Sequence, residues 1–190
     1  MEYLSEQFIT LCWAIFLIYF AASAFRVKRT VERQNGLLRV LLLAALIVVI
    51  ILLKRGTALS EYAGEVLWRQ TLAVRIIADL ITLIGLITML WARVVLGGNW
   101  SANVTFKENH ELIERGPYAF VRHPIYSGLL LMSIGTAIMY GRVGGFIVFI
   151  IFFMSLWLKS HQEERLLTRH FPDAYPDYKA RVKALIPYVF

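Results

Sequence analysis

Hydrophobic positions along the chain fall into four long blocks separated by short polar stretches rich in Lys and Arg. Phe8 to Phe25 forms the first, Leu37 to Leu53 the second, and Leu72 to Leu96 the third, which is interrupted by Arg75, Asp79 and Arg93. The fourth runs from Ile125 to Leu158. A helix rises about 1.5 Å per residue and crosses a hydrocarbon layer of about 30 Å with roughly 20 residues. The first three blocks are each near that length. The fourth is too long for one span and carries Gly141, Arg142, Gly144 and Gly145 at its centre, which predicts a turn between two antiparallel helices of about 16 residues each. Five transmembrane helices in a single all-α domain are expected: three spans in 1–96, a polar connection in 97–124, a helical hairpin in 125–158 and a polar tail in 159–190.

The basic residues orient these helices. Arg26, Lys28, Arg29, Arg33 and Arg39 crowd the first connection, Lys107, Arg115 and Arg122 the third, and Lys159, Arg165, Arg169, Lys179, Arg181 and Lys183 the tail. Cytoplasmic segments carry the excess of Lys and Arg, so these three are expected on the cytoplasmic face, with the N-terminus and the hairpin tip outside. Glu2 and Glu6 take the place of the basic residues that open a signal peptide, so the first block is expected to remain as a span.

Composition agrees: 58% of residues are hydrophobic and only 17% charged, which excludes an ordinary soluble domain. The formal charge of +7 sits between hydrophobic blocks, where topology and anionic headgroups explain it better than nucleic acid does. Cys12 is the sole cysteine, so neither an intrachain disulfide nor a cysteine-based metal site is available. The chain has no dinucleotide-binding glycine fingerprint, phosphate-binding loop or His-Glu-x-x-His helix.

Candidate chemistry concentrates at the base of the hairpin. A hairpin returns the chain to the face it left, so Arg122 and His123 at its start are expected near Glu163 and Glu164 at its end. Each alone has a plainer reading: basic residues anchoring a helix start, and acidic residues on a solvated face with Lys159 one turn away. Together they form a polar pocket, whose other wall would be the connection containing Asn103, His110 and Tyr118. Asp79, inside the third block, has Arg75 one turn earlier as a local partner; a transport path is the functional alternative.

These residues carry a resemblance. Leu96-Gly-Gly-Asn-Trp-Ser, His110-Glu-Leu-Ile-Glu-Arg-Gly-Pro-Tyr118, Arg122-His-Pro-Ile-Tyr-Ser-Gly128, Glu163-Glu164 and Tyr175-Pro-Asp-Tyr-Lys-Ala-Arg181 together resemble the isoprenylcysteine carboxyl methyltransferase family, related to phospholipid N-methyltransferases. The resemblance covers roughly the C-terminal half. It implies a membrane enzyme that uses S-adenosyl-L-methionine in a cytoplasmic, non-Rossmann pocket and acts on a lipophilic or lipid-anchored acceptor. Carried across, it puts cofactor contacts at Asn103, His110, Leu112, Ile113, Tyr118, His123, Pro124, Tyr126 and Glu163. Arg122 and Glu164 would complete the polar wall and, with Glu163, serve catalysis. Lys159 stands where eukaryotic members carry an arginine near the substrate. Carboxyl O-methylation is the first expectation; N-methylation of a phospholipid, a sterol-reductase-like activity and a small transporter are the alternatives.

Overall fold

The computed structural model describes residues 2–24, 29–33, 58–100, 105–107 and 111–187, with isolated positions at 44, 47, 48 and 51. The second predicted span, Leu37 to Leu53, lies otherwise outside the described residues. Six helices are described: α1 (Glu2–Ser23), α2 (Ala58–Gly64), α3 (Leu72–Leu96), α4 (Pro124–Tyr140), α5 (Val143–His170) and α6 (Ala174–Arg181). The architecture is helical as expected, with one small addition: β1 (Thr30–Arg33) and β2 (Thr105–Lys107) pair as an antiparallel ribbon. Both lie in polar connections, where no apolar periodicity announces so short a pairing.

Helices α1, α3 and α5 are long and apolar enough to cross a membrane, and α4 is a shorter apolar helix. The protein is thus a multi-pass integral membrane protein. Helix α3 has the expected bounds, Leu72–Leu96, because both ends are specified: Thr71 caps its start by accepting from Val74 N at 3.3 Å, and Gly97 closes it at φ 55°. The hairpin forms, but its limbs are unequal. Its turn is Gly141, in the left-handed conformation at φ 59°, followed by Arg142. Gly144 and Gly145 belong to α5 and not to the turn. Helix α5 then continues without a break to His170, so the expected boundary at residue 159 is not a structural one: Lys159, Glu163 and Glu164 ride on the extension of a membrane helix. No proline or glycine lies between Leu158 and His170, and Lys, Gln, Glu and Arg propagate a helix nearly as well as Leu does.

Helices α3 and α4 fit together through small residues. A Cβ added at Gly85 would lie 2.6 Å from Gly128 O, one at Gly128 would lie 2.6 Å from Gly85 O, and one at Gly135 would lie 2.8 Å from Ala78 O. Lipid tails are as apolar as leucine, so helices in a bilayer gain from close backbone approach, which only such residues permit. Ala78, Thr82 and Met89 complete the seam on α3, all without exposed surface.

Arg93 ties two helix ends together. Its guanidinium donates to Gly97 O at 2.7 Å, Ser23 O at 2.8 Å and Ser23 Oγ at 3.0 Å, and lies 4.7 Å from the centre of the Trp100 ring. The C-termini of α1 and α3 present carbonyls and partial negative charge, so a cation there satisfies both.

Asp79 accepts a hydrogen bond from Ser5 of α1 at 2.9 Å. This is a contact across helices, which sequence spacing cannot reveal.

Candidate functional site

The site is built where α4 starts and α5 leaves the membrane. Pro124 opens α4 with His123 at its N-cap, and Pro at the first turn costs nothing because that N–H has no helical partner. His123 and Tyr126 are one turn apart and their rings stack, 5.3 Å between centres and 5° between planes. Across from them, α5 presents Lys159, Glu163 and Glu164.

The two glutamates do different work. Glu164 is almost fully buried, with 6% of its side chain exposed, and its oxygens divide their partners. Oε1 accepts from Arg122 Nη2 at 2.7 Å and Arg122 Nε at 3.0 Å, with His123 Nε2 at 3.2 Å; Oε2 lies 2.7 Å from Lys179 Nζ. A buried carboxylate is tolerated when it is paired in this way. Glu163 is more open at 22% exposure; its Oε1 accepts from Tyr126 OH at 2.5 Å and lies 3.8 Å from Lys159 Nζ, while Oε2 is 3.6 Å from His123 Nδ1. The Lys159 ammonium also sits 4.9 Å from the centre of the Tyr126 ring.

The tail locks onto this base. Arg122 N donates to Lys183 O at 2.8 Å, His123 N to Ala184 O at 3.0 Å and Ser127 Oγ to Leu185 O at 2.6 Å. The Arg122 guanidinium also donates to Val182 O. Tyr178 OH donates to Tyr118 O at 2.6 Å, holding α6 to the turn that contains Gly116 and Pro117. Burial pushes the Tyr118, Tyr175 and Tyr178 phenols up from their ordinary value.

Beside the ionic cluster, Leu112, Ile113 and Tyr118 line a cavity of about 60 Å³ with Arg122, Tyr175 and Tyr178. The Tyr175 hydroxyl is buried there beside the Arg122 guanidinium. A buried hydroxyl beside a guanidinium suits a polar, anionic ligand, as the carboxylate end of S-adenosylmethionine is. A ligand of that size needs about 300 Å³ or more, so this space would have to widen on binding. Asn103 and His110 lie outside the described residues.

A second, apolar cavity of about 810 Å³ lies between the limbs of the hairpin, bounded by Trp13, Phe16, Leu129, Thr136, Phe149 and Phe152. It reaches from Arg142 and Gly144 at the hairpin tip to Leu129 on α4 and Phe152 on α5; Phe152 is seven residues from Lys159, about 10.5 Å along the helix, so the cavity lies toward the tip.

Residues 76–169 match the sequence model of the isoprenylcysteine carboxyl methyltransferase family. The matched segment is 94 of the chain's 190 residues, just under half. It contains α4, nearly all of α3 and α5, and the whole cluster from Arg122 to Glu164. The protein-S-isoprenylcysteine O-methyltransferase of Schizosaccharomyces pombe is 35% identical over 104 residues, covering 52% of this chain and 43% of that protein. The Arabidopsis thaliana protein-S-isoprenylcysteine O-methyltransferase B is 33% identical over 84 residues, covering 44% and 43%. Among solved structures, the eukaryotic intramembrane Ras methyltransferase of this family aligns at a TM-score of 0.51 with 25% identity, over 62% of this chain and 45% of that one. The chain spans less than half the length of each of these proteins.

Arg122, His123, Pro124, Tyr126, Lys159, Glu163 and Glu164 therefore meet at one place, and Leu112, Ile113 and Tyr118 line the cavity beside them. Three residues of this neighbourhood went unassigned in the sequence. Lys179 enters there only as a topological charge and as part of a motif, and Tyr175 and Tyr178 only as part of that motif. The polar register of α6, with tyrosines three apart, is the one signal that hinted at them.

Proposed function

We propose that the protein is an S-adenosylmethionine-dependent methyltransferase that O-methylates the carboxylate of an isoprenylcysteine-like acceptor, with the active site on the cytoplasmic face. The observation that carries this reading is the meeting of His123, Tyr126, Lys159 and Glu163 at the base of a helical hairpin that holds an apolar cavity nearer its tip. When bound, the cofactor supplies an electrophilic methyl group on a sulfonium. Glu163 and His123 would hold its polar end, while Leu112, Ile113 and Tyr118 cover its flat face. Lys159 would draw the acceptor carboxylate to the hairpin base, and the cavity would take the hydrocarbon chain. A carboxylate needs no general base, so the protein's tasks are alignment and exclusion of water. Arg122 and Glu164 are positioning residues in this scheme, since they bind each other and the tail.

Calorimetric titration of the detergent-solubilised protein with S-adenosylmethionine tests the cofactor, and labelled methyl transfer to N-acetyl-S-farnesylcysteine tests the acceptor. His123→Ala and Glu163→Ala are each expected to weaken cofactor binding by about tenfold, roughly 1.4 kcal/mol. Removing the farnesyl chain should lower acceptor affinity by orders of magnitude, at about 0.8 kcal/mol per buried CH₂. Equal turnover of the chain-free compound, or a preference for an amine of the same chain length, would overturn the reading.

A further inference from the structure

On the opposite side of α5 from Glu163 lies a polar cavity of about 550 Å³, lined by His161, Glu164, Arg165, Thr168, Arg169 and Lys179. At about 100° per residue, Glu163 and Arg165 point about 160° apart, so this cavity opens on another face of α5 and shares Glu164 and Lys179 with the ionic cluster. Its lining carries three cations, Arg165, Arg169 and Lys179, against one carboxylate, Glu164. That carboxylate already accepts two hydrogen bonds from Arg122. The cavity is therefore a concavity with surplus positive charge.

Its depth is equally telling. Counted from Val143 at the start of α5, a hydrocarbon layer of about 30 Å is crossed after roughly 20 residues, near Gln162. His161, Arg165, Thr168 and Arg169 thus stand at headgroup level. Trp157, whose ring lies 4.2 Å from that of His161, marks the interface one turn below. The Thr168 hydroxyl donates to Glu164 O and keeps lone pairs toward the cavity, whereas the guanidinium groups offer forked N–H donors suited to phosphate oxygens.

We propose that this cavity binds a phosphate group carried by an anionic lipid headgroup. Lys179 links it to the first site, because its ammonium is 2.7 Å from Glu164 Oε2 while the other oxygen faces Arg122 and His123. A phosphate in the cavity would share Lys179 with Glu164, so lipid occupancy would alter how firmly the tail is held.

The test uses the full chain purified in phosphatidylcholine micelles with and without phosphatidylglycerol, with retained lipid measured by mass spectrometry after washing. The wild type is expected to retain phosphatidylglycerol in preference to phosphatidylcholine. Arg165→Gln and Arg169→Gln should each reduce that preference about fivefold, the effect of one cation near an anionic surface. Arg181→Gln is the control: Arg181 is exposed, pairs with Glu114 at 2.9 Å and lies outside the cavity. An equal loss in the control would mean diffuse charge attraction and would overturn the site, as would the absence of any preference in the wild type. Displacement of the retained lipid by inorganic phosphate, at concentrations where chloride of matched ionic strength has no effect, would support recognition of the headgroup phosphate, and equal displacement by chloride would overturn it. Thermal unfolding of each variant separates loss of the site from loss of the fold.

Discussion

Replacing Glu164 and Glu163 separately distinguishes two neighbours that the sequence presents as a pair. Glu164→Ala leaves the Arg122 guanidinium, itself only 8% exposed, without its carboxylate, and removes the contact to Lys179. Breaking one partner of a buried ion pair costs about 3–5 kcal/mol, because the remaining charge stays buried and uncompensated. Glu163→Ala loses the bond from Tyr126 and the weaker contact to Lys159 on a face that water can reach, so about 1 kcal/mol is expected. For a chain of this size 1 kcal/mol moves the unfolding midpoint by about 2–4 °C, so the first variant should melt at least about 6–12 °C below the wild type and the second only about 2–4 °C below. Unfolding followed by tryptophan fluorescence in detergent measures the difference. Limited trypsinolysis provides an independent readout: cleavage at Lys179, Arg181 and Lys183 should accelerate in Glu164→Ala because Arg122 also holds the carbonyls of Lys179 and Val182. The cofactor titration should show the opposite ranking once Glu164→Ala is measured below its melting point. Equal melting losses in both variants would refute the division of labour.

Gly128→Ala is expected to cost about 3 kcal/mol, since its Cβ would meet Gly85 O, Met89 Cβ and Met89 N within 3.0 Å, whereas Gly64→Ala, with Arg142 as its nearest neighbour at 4.0 Å, should be near neutral in the same unfolding assay. Ser127→Ala removes the bond to Leu185 O and should destabilise by about 1 kcal/mol, with faster tryptic release of the tail. Stability should fall as pH rises above about 10: the buried Tyr118, Tyr175 and Tyr178 phenols resist ionisation while the unfolded chain does not, so unfolding is increasingly favoured in alkali. The slope should be shallower in Tyr178→Phe. Reporters fused after Ala63 and Arg142 should be external and one after Phe190 cytoplasmic; a cytoplasmic signal at position 63 would refute the proposed orientation.

The parts of this molecule legible in the sequence are those fixed by local physics. Leu72–Leu96 was bounded by its apolar block, and the hairpin followed from a glycine turn inside an overlong apolar run. The meeting of Arg122 and His123 with Glu163 and Glu164 followed from hairpin topology alone. What escaped depends on contacts between distant segments. The continuation of α5 past Leu158 is a helix that goes on after its apolar face has ended, which hydrophobicity cannot register. The seam at Gly85, Gly128 and Gly135 requires knowing which faces of two helices meet. The grip of the 182–185 segment on the hairpin base is made by backbone carbonyls, which every sequence has and none advertises. The ribbon of β1 and β2 joins connections more than seventy residues apart.

The tail's grip also sets an order of events during synthesis. Arg122 and the carbonyl of Val182 that it binds are 60 residues apart. At about 5–20 residues per second, the ribosome takes about 3–12 s to cover that distance. For the first 42 residues of that stretch Arg122 lacks Glu164 as well, and until its end it lacks its carbonyl partner, so the cationic start of α4 must wait while α5 is made. The site closes only when Lys183, Ala184 and Leu185 have been made, so nascent chains stopped before them would reach the membrane with their helices placed and their chemistry unassembled.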